Sequence, residues 1–263
     1  MIVRLADRGR NTMGFRKLLS ALGIPAPEIE TVVSNPRVLP GEDLRCVVRV
    51  RGGGAGVDVE RLRLYLVVRA EDREMDGSTA WRHPYTVATA VLDGFRVDAG
   101  ETVVREVTLR LPWEMPLTHI RGVRLPGARV AVRTVLTIDG AADRGDFDEI
   151  EVHALPAQDA VMQAYDELGF RLHEAEVKVD VAPWPARMAD RRTQPYWQEI
   201  DLFFPPAWNR GQEELETVFI AREDSLDAHP GGNPPVTFVY ADQDPAAWKE
   251  TLDRQIRHGW SMC

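Results

Sequence analysis

Apolar and polar side chains alternate with a period of two along much of the N-terminal half. In residues 44–51 leucine, cysteine and valine alternate with arginine, and the pattern returns at 61–69, 107–111 and 130–138. Successive side chains of a strand point to opposite faces, so this pattern predicts half-buried antiparallel strands. Turn signals separate these segments: Pro40-Gly41, the glycine-rich run 52–56, Asp93-Gly94, Pro126-Gly127 and Asp139-Gly140. Strands at this spacing predict a β-sandwich of about 130 residues, with the glycine-rich run as a hairpin tip.

The period of two returns in the C-terminal half. Strands are predicted in four segments there: 177–181, 200–204, 215–222 and 236–240. The predicted fold class is therefore mainly β, with two antiparallel β-sandwich domains. We expect the first domain to span residues 13–154 and the second to span residues 155–263. Residues 1–12 have no clear period and are expected to be a disordered extension.

One short segment near the N-terminus has the spacing of a helix. Its apolar residues fall at i, i+3, i+4 and i+7: Phe15, Leu18, Leu19 and Leu22. Gly23 and Pro25 would end this helix. A helix of about ten residues is marginal alone, so we expect it to dock on its own domain, on a partner subunit or on a membrane surface. The apolar face is the candidate partner-binding site.

Two further helices are predicted. A linker helix over residues 157–168 lies between Pro156 and Gly169, a proline start and a glycine stop. A C-terminal helix begins at an Asp244 N-cap and ends at Gly259.

Charge and composition exclude several classes of protein. The chain has 263 residues and a net charge of -9, and residues 155–263 carry the whole acidic excess. An acidic half repels nucleic acid and anionic lipid. The sequence contains no apolar run long enough to cross a membrane, and its N-terminal residues do not have the pattern expected of a secretory leader. With two cysteines, a structural disulfide is not expected, which favours a cytoplasmic protein.

The search for reactive motifs yields one candidate metal site. The sequence has no nucleophile elbow, and Cys46 lies on a buried strand face, where its thiol is unreactive. The six histidines are far apart in the sequence. The candidate ligands are carboxylates in one glycine-containing turn: Asp139, Asp143, Asp146 and Asp148. Such oxygens suit calcium, but the spacing does not match an EF-hand loop, and a solvated turn whose carboxylates bond local backbone amides is the preferred explanation.

Tryptophans in the C-terminal half raise a second binding hypothesis. They are Trp184, Trp197, Trp208, Trp248 and Trp260. The acidic surroundings oppose nucleic-acid stacking, which leaves packing roles or a carbohydrate site.

Several segments together resemble one bacterial protein family. These segments are residues 13–24 (MGFRKLLSALGI), 36–50 with Pro40-Gly41-Glu42, 111–118 (LPWEMPLT), 130–152 and Leu168-Gly169-Phe170. In this order they resemble arrestin-like domains, and specifically the bacterial sporulation-control family. The resemblance spans residues 13 to about 255.

The resemblance implies a pair of arrestin-like β-sandwiches and a cytoplasmic, non-catalytic regulator that acts through protein contacts. It offers no catalytic motif and no cofactor. We therefore expect a regulator or scaffold of sporulation that binds other proteins and can form a homodimer, without nucleic acid and without stable membrane insertion. The alternative is a calcium- or carbohydrate-binding β-sandwich protein.

Overall fold

The computed structural model describes most of the chain. The described residues are 26–70, 84–138, 141–179, 191–206, 214–231, 233–242 and 244–261. The predicted N-terminal helix and the predicted extension over residues 1–12 lie outside them.

The N-terminal half is a sandwich of two sheets. Its strands are β1 (Glu28–Val33), β2 (Arg37–Val38), β3 (Asp43–Arg51), β4 (Val57–Arg69), β5 (Pro84–Val97), β6 (Thr102–Arg110), β7 (His119–Ile120), β8 (Val123–Arg124), β9 (Val130–Ile138) and β10 (Ala141–Val152). One sheet has the order β1-β3-β6 and the other β2-β10-β9-β4-β5, while β7 and β8 form a small hairpin. Neighbouring strands are antiparallel except β2, which pairs with β10 in parallel.

The alternating pattern corresponds to the two faces of each strand. In β3, Leu44, Cys46, Val48 and Val50 are at most 1% exposed, and the arginines between them face solvent. A hydroxyl contact of 2.7 Å between Thr31 of β1 and Thr134 of β9 joins the two layers. The hydrophobic effect on one face of each sheet therefore assembles this half, as the period of two predicts.

Two predicted turns are not turns of the expected kind. Asp93 and Gly94 lie inside β5, where Asp93 pairs with Arg61 of β4. A Cβ atom on Gly94 would lie 2.7 Å from the Val59 carbonyl oxygen, so glycine here permits close approach of two strands. The glycine-rich run 52–56 is a crossover rather than a hairpin tip, because β3 and β4 belong to different sheets.

The C-terminal half has one sheet with two helices on a single face. The elements are α1 (Pro156–Glu167), β11 (Arg171–Val179), β12 (Tyr196–Phe203), β13 (Glu214–Ala221), β14 (Ser225–Pro230), β15 (Val236–Val239) and α2 (Pro245–Ser261). The strands follow sequence order and are all antiparallel. Tyr165 of α1 accepts a hydrogen bond from Thr217 of β13, and Trp248 of α2 packs on Phe238 of β15. In the described part of this half, helices therefore form the second layer.

Both helices begin as the sequence predicts. The side chain of Gln158 accepts a hydrogen bond from the Leu155 amide at the start of α1, and Gly169 follows the helix with a φ of 92°. The Asp244 carboxylate caps α2 by accepting from the amides of Ala246 and Ala247. Helix α2 runs to Ser261, two residues past its predicted end.

One hydrophobic core runs through both halves of the described chain. At the junction, Gln198 of β12 accepts a hydrogen bond from the Leu117 amide and donates one to the Leu117 carbonyl, both at 2.8 Å. The Pro126 carbonyl accepts a third hydrogen bond, from the Ala175 amide of β11. Because these bonds and the core cross between the halves, the two halves form one packed body.

Candidate functional site

The site residues predicted from the sequence are only partly described. Phe15, Leu18, Leu19, Leu22 and Asp139 lie outside the described residues, as do the side chains of Asp143 and Asp146. Asp148 is half-buried on β10, opposite Val132. The docking helix and the calcium site therefore stay predictions.

The Asp148 carboxylate acts electrostatically on Cys46. Burial raises the pKa of the Cys46 thiol to about 11, and the Asp148 carboxylate adds to this rise. A thiol with this pKa is protonated at neutral pH, as expected for an unreactive core cysteine.

Burial of the described tryptophans argues against the hypothesis that they bind carbohydrate. Trp197 and Trp248 are only 5% and 8% exposed, so neither offers an open ring face for a sugar. Trp184, Trp208 and the side chain of Trp260 lie outside the described residues.

A long uncharged strand edge is the most distinctive surface of the sandwich. Strand β5 ends the order β2-β10-β9-β4-β5, and no strand in the described chain pairs with its outer side. Its segment Tyr85–Leu92 (YTVATAVL), which we call the β5 edge, contains no charge and no proline. The amides and carbonyls of such an edge are free to pair with another extended chain.

Side-chain exposure also concentrates at sheet edges. Among the described residues, six large apolar side chains are exposed: Val32, Val91, Val104, Val123, Phe203 and Val239. Five of them lie on strands that end a sheet, namely β1, β5, β6, β8 and β15. Val91, on the β5 edge, is 57% exposed.

The other long edges carry charges that oppose pairing. Strand β1 has Glu28 and Glu30, β6 has Arg105 and Glu106, and β11 carries four charged residues. Strand β15 is uncharged but only four residues long. Charged side chains on an edge strand disfavour pairing with another strand, so the β5 edge is the long edge best suited to accept one.

Two histidines and a glutamate meet where β10 ends. The rings of His119 and His153 stack with centroids 4.6 Å apart, and His153 Nε2 lies 2.9 Å from a Glu151 carboxylate oxygen. Arg37 Nε donates to the same oxygen at 3.0 Å. These hydrogen bonds, first from His153 and then from Arg37, lower the pKa of Glu151 to about 2. Burial, and then the charge of His153, lowers the pKa of His119.

Buried polar groups cluster on the sheet face away from the helices. Asp201 of β12 and His229 of β14 are 8% and 1% exposed. One carboxylate oxygen of Asp201 and both ring nitrogens of His229 have no hydrogen-bond partner among the residues that the structure describes. Burial, and then the charges of Glu199 and Glu216, raises the pKa of Asp201 to about 7. Burial lowers the pKa of His229 to about 4, so its imidazole is neutral at pH 7.

Replacing Asp201 by asparagine is expected to stabilise the protein at pH 8 by on the order of 1–2 kcal/mol. The folded pKa of about 7 exceeds the unfolded value, so the folded state binds more protons and stability falls as pH rises from about 4 to 7. Asp201→Asn removes this dependence. Thermal melts of wild type, Asp201→Asn and the exposed control Asp242→Asn at pH 5 and pH 8 test it. A lower melting temperature for Asp201→Asn at pH 8 contradicts the assignment.

Comparison with known proteins identifies the family. The family model described as SpoOM protein matches residues 15–229 of the chain. The chain belongs to the SpoOM protein family.

A curated member and a solved structure support this membership. The SpoOM-family relative named sporulation-control protein spo0M, from Bacillus subtilis (strain 168), is 32% identical over 217 residues, which are 81% of this chain and 78% of that protein. The crystal structure of Spo0M, sporulation control protein, from Bacillus subtilis matches with a TM-score of 0.73 and 26% identity, and covers 89% of this chain and 99% of that one. The predicted mainly β, arrestin-like fold is confirmed.

Two features of this SpoOM-family chain escaped the sequence reading. The sequence pattern does not predict the full length of β5, because Asp93-Gly94 has the pattern of a turn although the strand continues through it. The histidine cluster does not follow from sequence spacing, because Glu151 lies near the end of β10, His153 lies just past it and His119 lies on β7, far away in the chain. A Glu-x-His spacing on a strand was the available signal, since it places both side chains on one face. None of the helices in the described part of the chain is both long and apolar enough to span a membrane.

Proposed function

We propose that this chain is a non-catalytic, cytoplasmic regulator in sporulation control that binds other proteins through the β5 edge. The observation that carries the proposal is an uncharged eight-residue edge, Tyr85–Leu92, with Val91 57% exposed. An extended segment of a partner protein would add to the sheet there. Its backbone would pair with β5, and its side chains would cover Val91.

Membership in the SpoOM family supports the regulatory role, because a curated relative is named a sporulation-control protein. The packed body formed by the two halves supports a scaffold, since it holds the edge on a rigid support. A second copy of the chain is one acceptable partner, and self-association through the predicted N-terminal helix at Phe15, Leu18, Leu19 and Leu22 is part of the same proposal.

Val91→Lys is expected to abolish partner capture while leaving the fold intact. A lysine at this position would place a charge beside the cross-strand side chain of an incoming strand, and charged side chains on an edge strand disfavour pairing. Because Val91 is mostly exposed, stability should change by less than about 0.5 kcal/mol. The measurement is quantitative co-purification of partners with the tagged chain from the native host, together with light scattering for self-association.

Val123→Lys is the matched control. The side chain of Val123 is 59% exposed, a fraction similar to the 57% of Val91, but Val123 lies in the small β7–β8 hairpin. Partners retained by wild type and Val123→Lys, and reduced at least about tenfold by Val91→Lys, support the proposal; a tenfold change corresponds to about 1.4 kcal/mol. Equal capture by all three proteins refutes a role for the β5 edge.

A further inference from the structure

The backbone places His119 and His153 side by side. The two residues are bridge partners on parallel segments. Hydrogen bonds flank them, from the Thr118 amide to the Val152 carbonyl at 2.8 Å and from the Ala154 amide to the His119 carbonyl at 2.9 Å. Because the two residues lie opposite each other on neighbouring segments, their imidazole rings leave the backbone on the same face, and the rings stack there. The pair is therefore held together by main-chain geometry rather than by ring contact alone.

Glu151 completes a set of three metal-ligand atoms. It lies near the end of β10, and His153 follows two residues later as a bridge residue just past the strand, so both side chains leave the extended backbone on one face. One nitrogen from each histidine and one oxygen of Glu151 lie within 4.8 Å of one another. Ligand atoms around tetrahedral zinc are about 3.3 Å apart, given bond lengths of about 2 Å. Binding of one ion would require the side chains to rotate so that the three atoms approach to this separation.

The ring of His119 is already oriented by a neighbour. Its Nδ1 lies 2.9 Å from the Thr118 hydroxyl oxygen, which also accepts a hydrogen bond from the Val152 amide at 2.8 Å. When Nδ1–H donates to Thr118, the lone pair of Nε2 is left for a metal. A second hydrogen bond of this kind is what fixes the ring and the tautomer of metal-binding histidines.

The charged group that competes for the site is displaceable. Arg37 pairs with Glu151, but its side chain is 74% exposed and loses little by turning into solvent. Glu151 is 43% exposed and His153 21%, so an ion can enter directly from water. The open side leaves a coordination position for a water molecule.

We propose that His119, Glu151 and His153 bind one divalent transition-metal ion, zinc foremost, with water as a fourth ligand. Two imidazoles and one carboxylate are a donor set that suits zinc and disfavours calcium and magnesium. The ion would join the β7–β8 hairpin to the end of β10, just before α1. The site is separate from the β5 edge and does not depend on the proposed function.

Titration of the chelator-treated full-length chain with zinc chloride tests the site. Calorimetry should give one ion per chain for wild type and a rise in melting temperature. His119→Gln, His153→Gln and Glu151→Gln should each weaken binding at least about tenfold. The matched control is His173→Gln, because His173 lies 2.5 Å from Glu214 in a histidine–carboxylate pair without a second histidine.

Cobalt provides a second readout that does not depend on stability. Visible absorption of the cobalt-loaded chain should show intense tetrahedral bands in wild type and His173→Gln, and these bands should be lost in His119→Gln. No heat and no melting shift for wild type overturn the proposal. Unchanged zinc affinity and cobalt spectrum in His119→Gln also overturn it, because the ion would then bind elsewhere.

Discussion

Replacing Asp227 by alanine is expected to lower the free energy of unfolding by about 3 kcal/mol. The Asp227 side chain is 1% exposed, and one oxygen accepts from Arg191 and Arg222, each at 3.0 Å. The other oxygen accepts from the Thr237 hydroxyl at 2.6 Å. Alanine leaves Thr237 without this partner and removes the anion that joins β14, β15 and two arginines. The two arginines are partly exposed and can be hydrated, which keeps the loss near the lower end for a buried ion pair.

The effect of Asp227→Ala should depend on pH. Burial raises the pKa of Asp227, but the hydrogen bonds from Thr237 and Arg191 and the charge of Arg222 outweigh it, so the folded pKa lies below the ordinary value. The stabilisation is then present above the unfolded pKa of about 4 and disappears as pH falls through the folded pKa.

Urea unfolding at pH 7 and at pH 3 measures both effects. The control is Asp224→Ala, an exposed aspartate in the same hairpin whose loss should cost less than about 0.5 kcal/mol. The assignment is wrong if both variants lose the same stability at pH 7, or if the loss for Asp227→Ala is equally large at pH 3.

Phe170→Ala is expected to destabilise the whole described body by about 3–5 kcal/mol. Phe170 is 1% exposed between Tyr165 of α1 and Phe204, with ring centroids 5.6 Å and 5.3 Å away. Alanine would leave a cavity in the core shared by the two halves, and the packing around it cannot collapse without moving the helix. One cooperative transition should therefore shift down by about 10 °C in differential scanning calorimetry.

Phe203→Ala controls for the loss of an aromatic ring as such. Phe203 is 39% exposed and stacks on His173 at 4.3 Å, so its replacement should cost about 1 kcal/mol or less. A thermogram of Phe170→Ala with two separate transitions, only one of them shifted, would contradict a continuous core. So would equal shifts for the two variants.

The local sequence pattern was sufficient to predict a helix or strand wherever one face of that element packs on the core and the other faces solvent. The alternation in β3 and the apolar positions of α1 between Pro156 and Gly169 each predict both element type and buried face. Here the side-chain period and the capping residues are properties of a short segment, so no knowledge of neighbouring segments is needed.

Local pattern failed where a neighbouring strand determines the conformation. Strand β14 was not predicted, because its own residues do not show that Asp227 and His229 are both at most 1% exposed on the face away from the helices. The arginines and the threonine that stabilise Asp227 come from other segments. Gly94 predicts a turn because glycine favours turns. In the structure, glycine is required at this position because the backbone of β4 lies too close to leave room for a side chain.

The sequence by itself determined a mainly β chain, its two described helices and its family. Periodicity, capping residues and the order of motifs are all properties of residues that are near one another in the chain. Tertiary structure alone decided which strand ends a sheet with a long uncharged segment, and which histidines meet. Edge position depends on the order of strands in a sheet, and a ligand set depends on distances between segments. Residues 119 and 151–153 become neighbours only when β7 lies beside the end of β10.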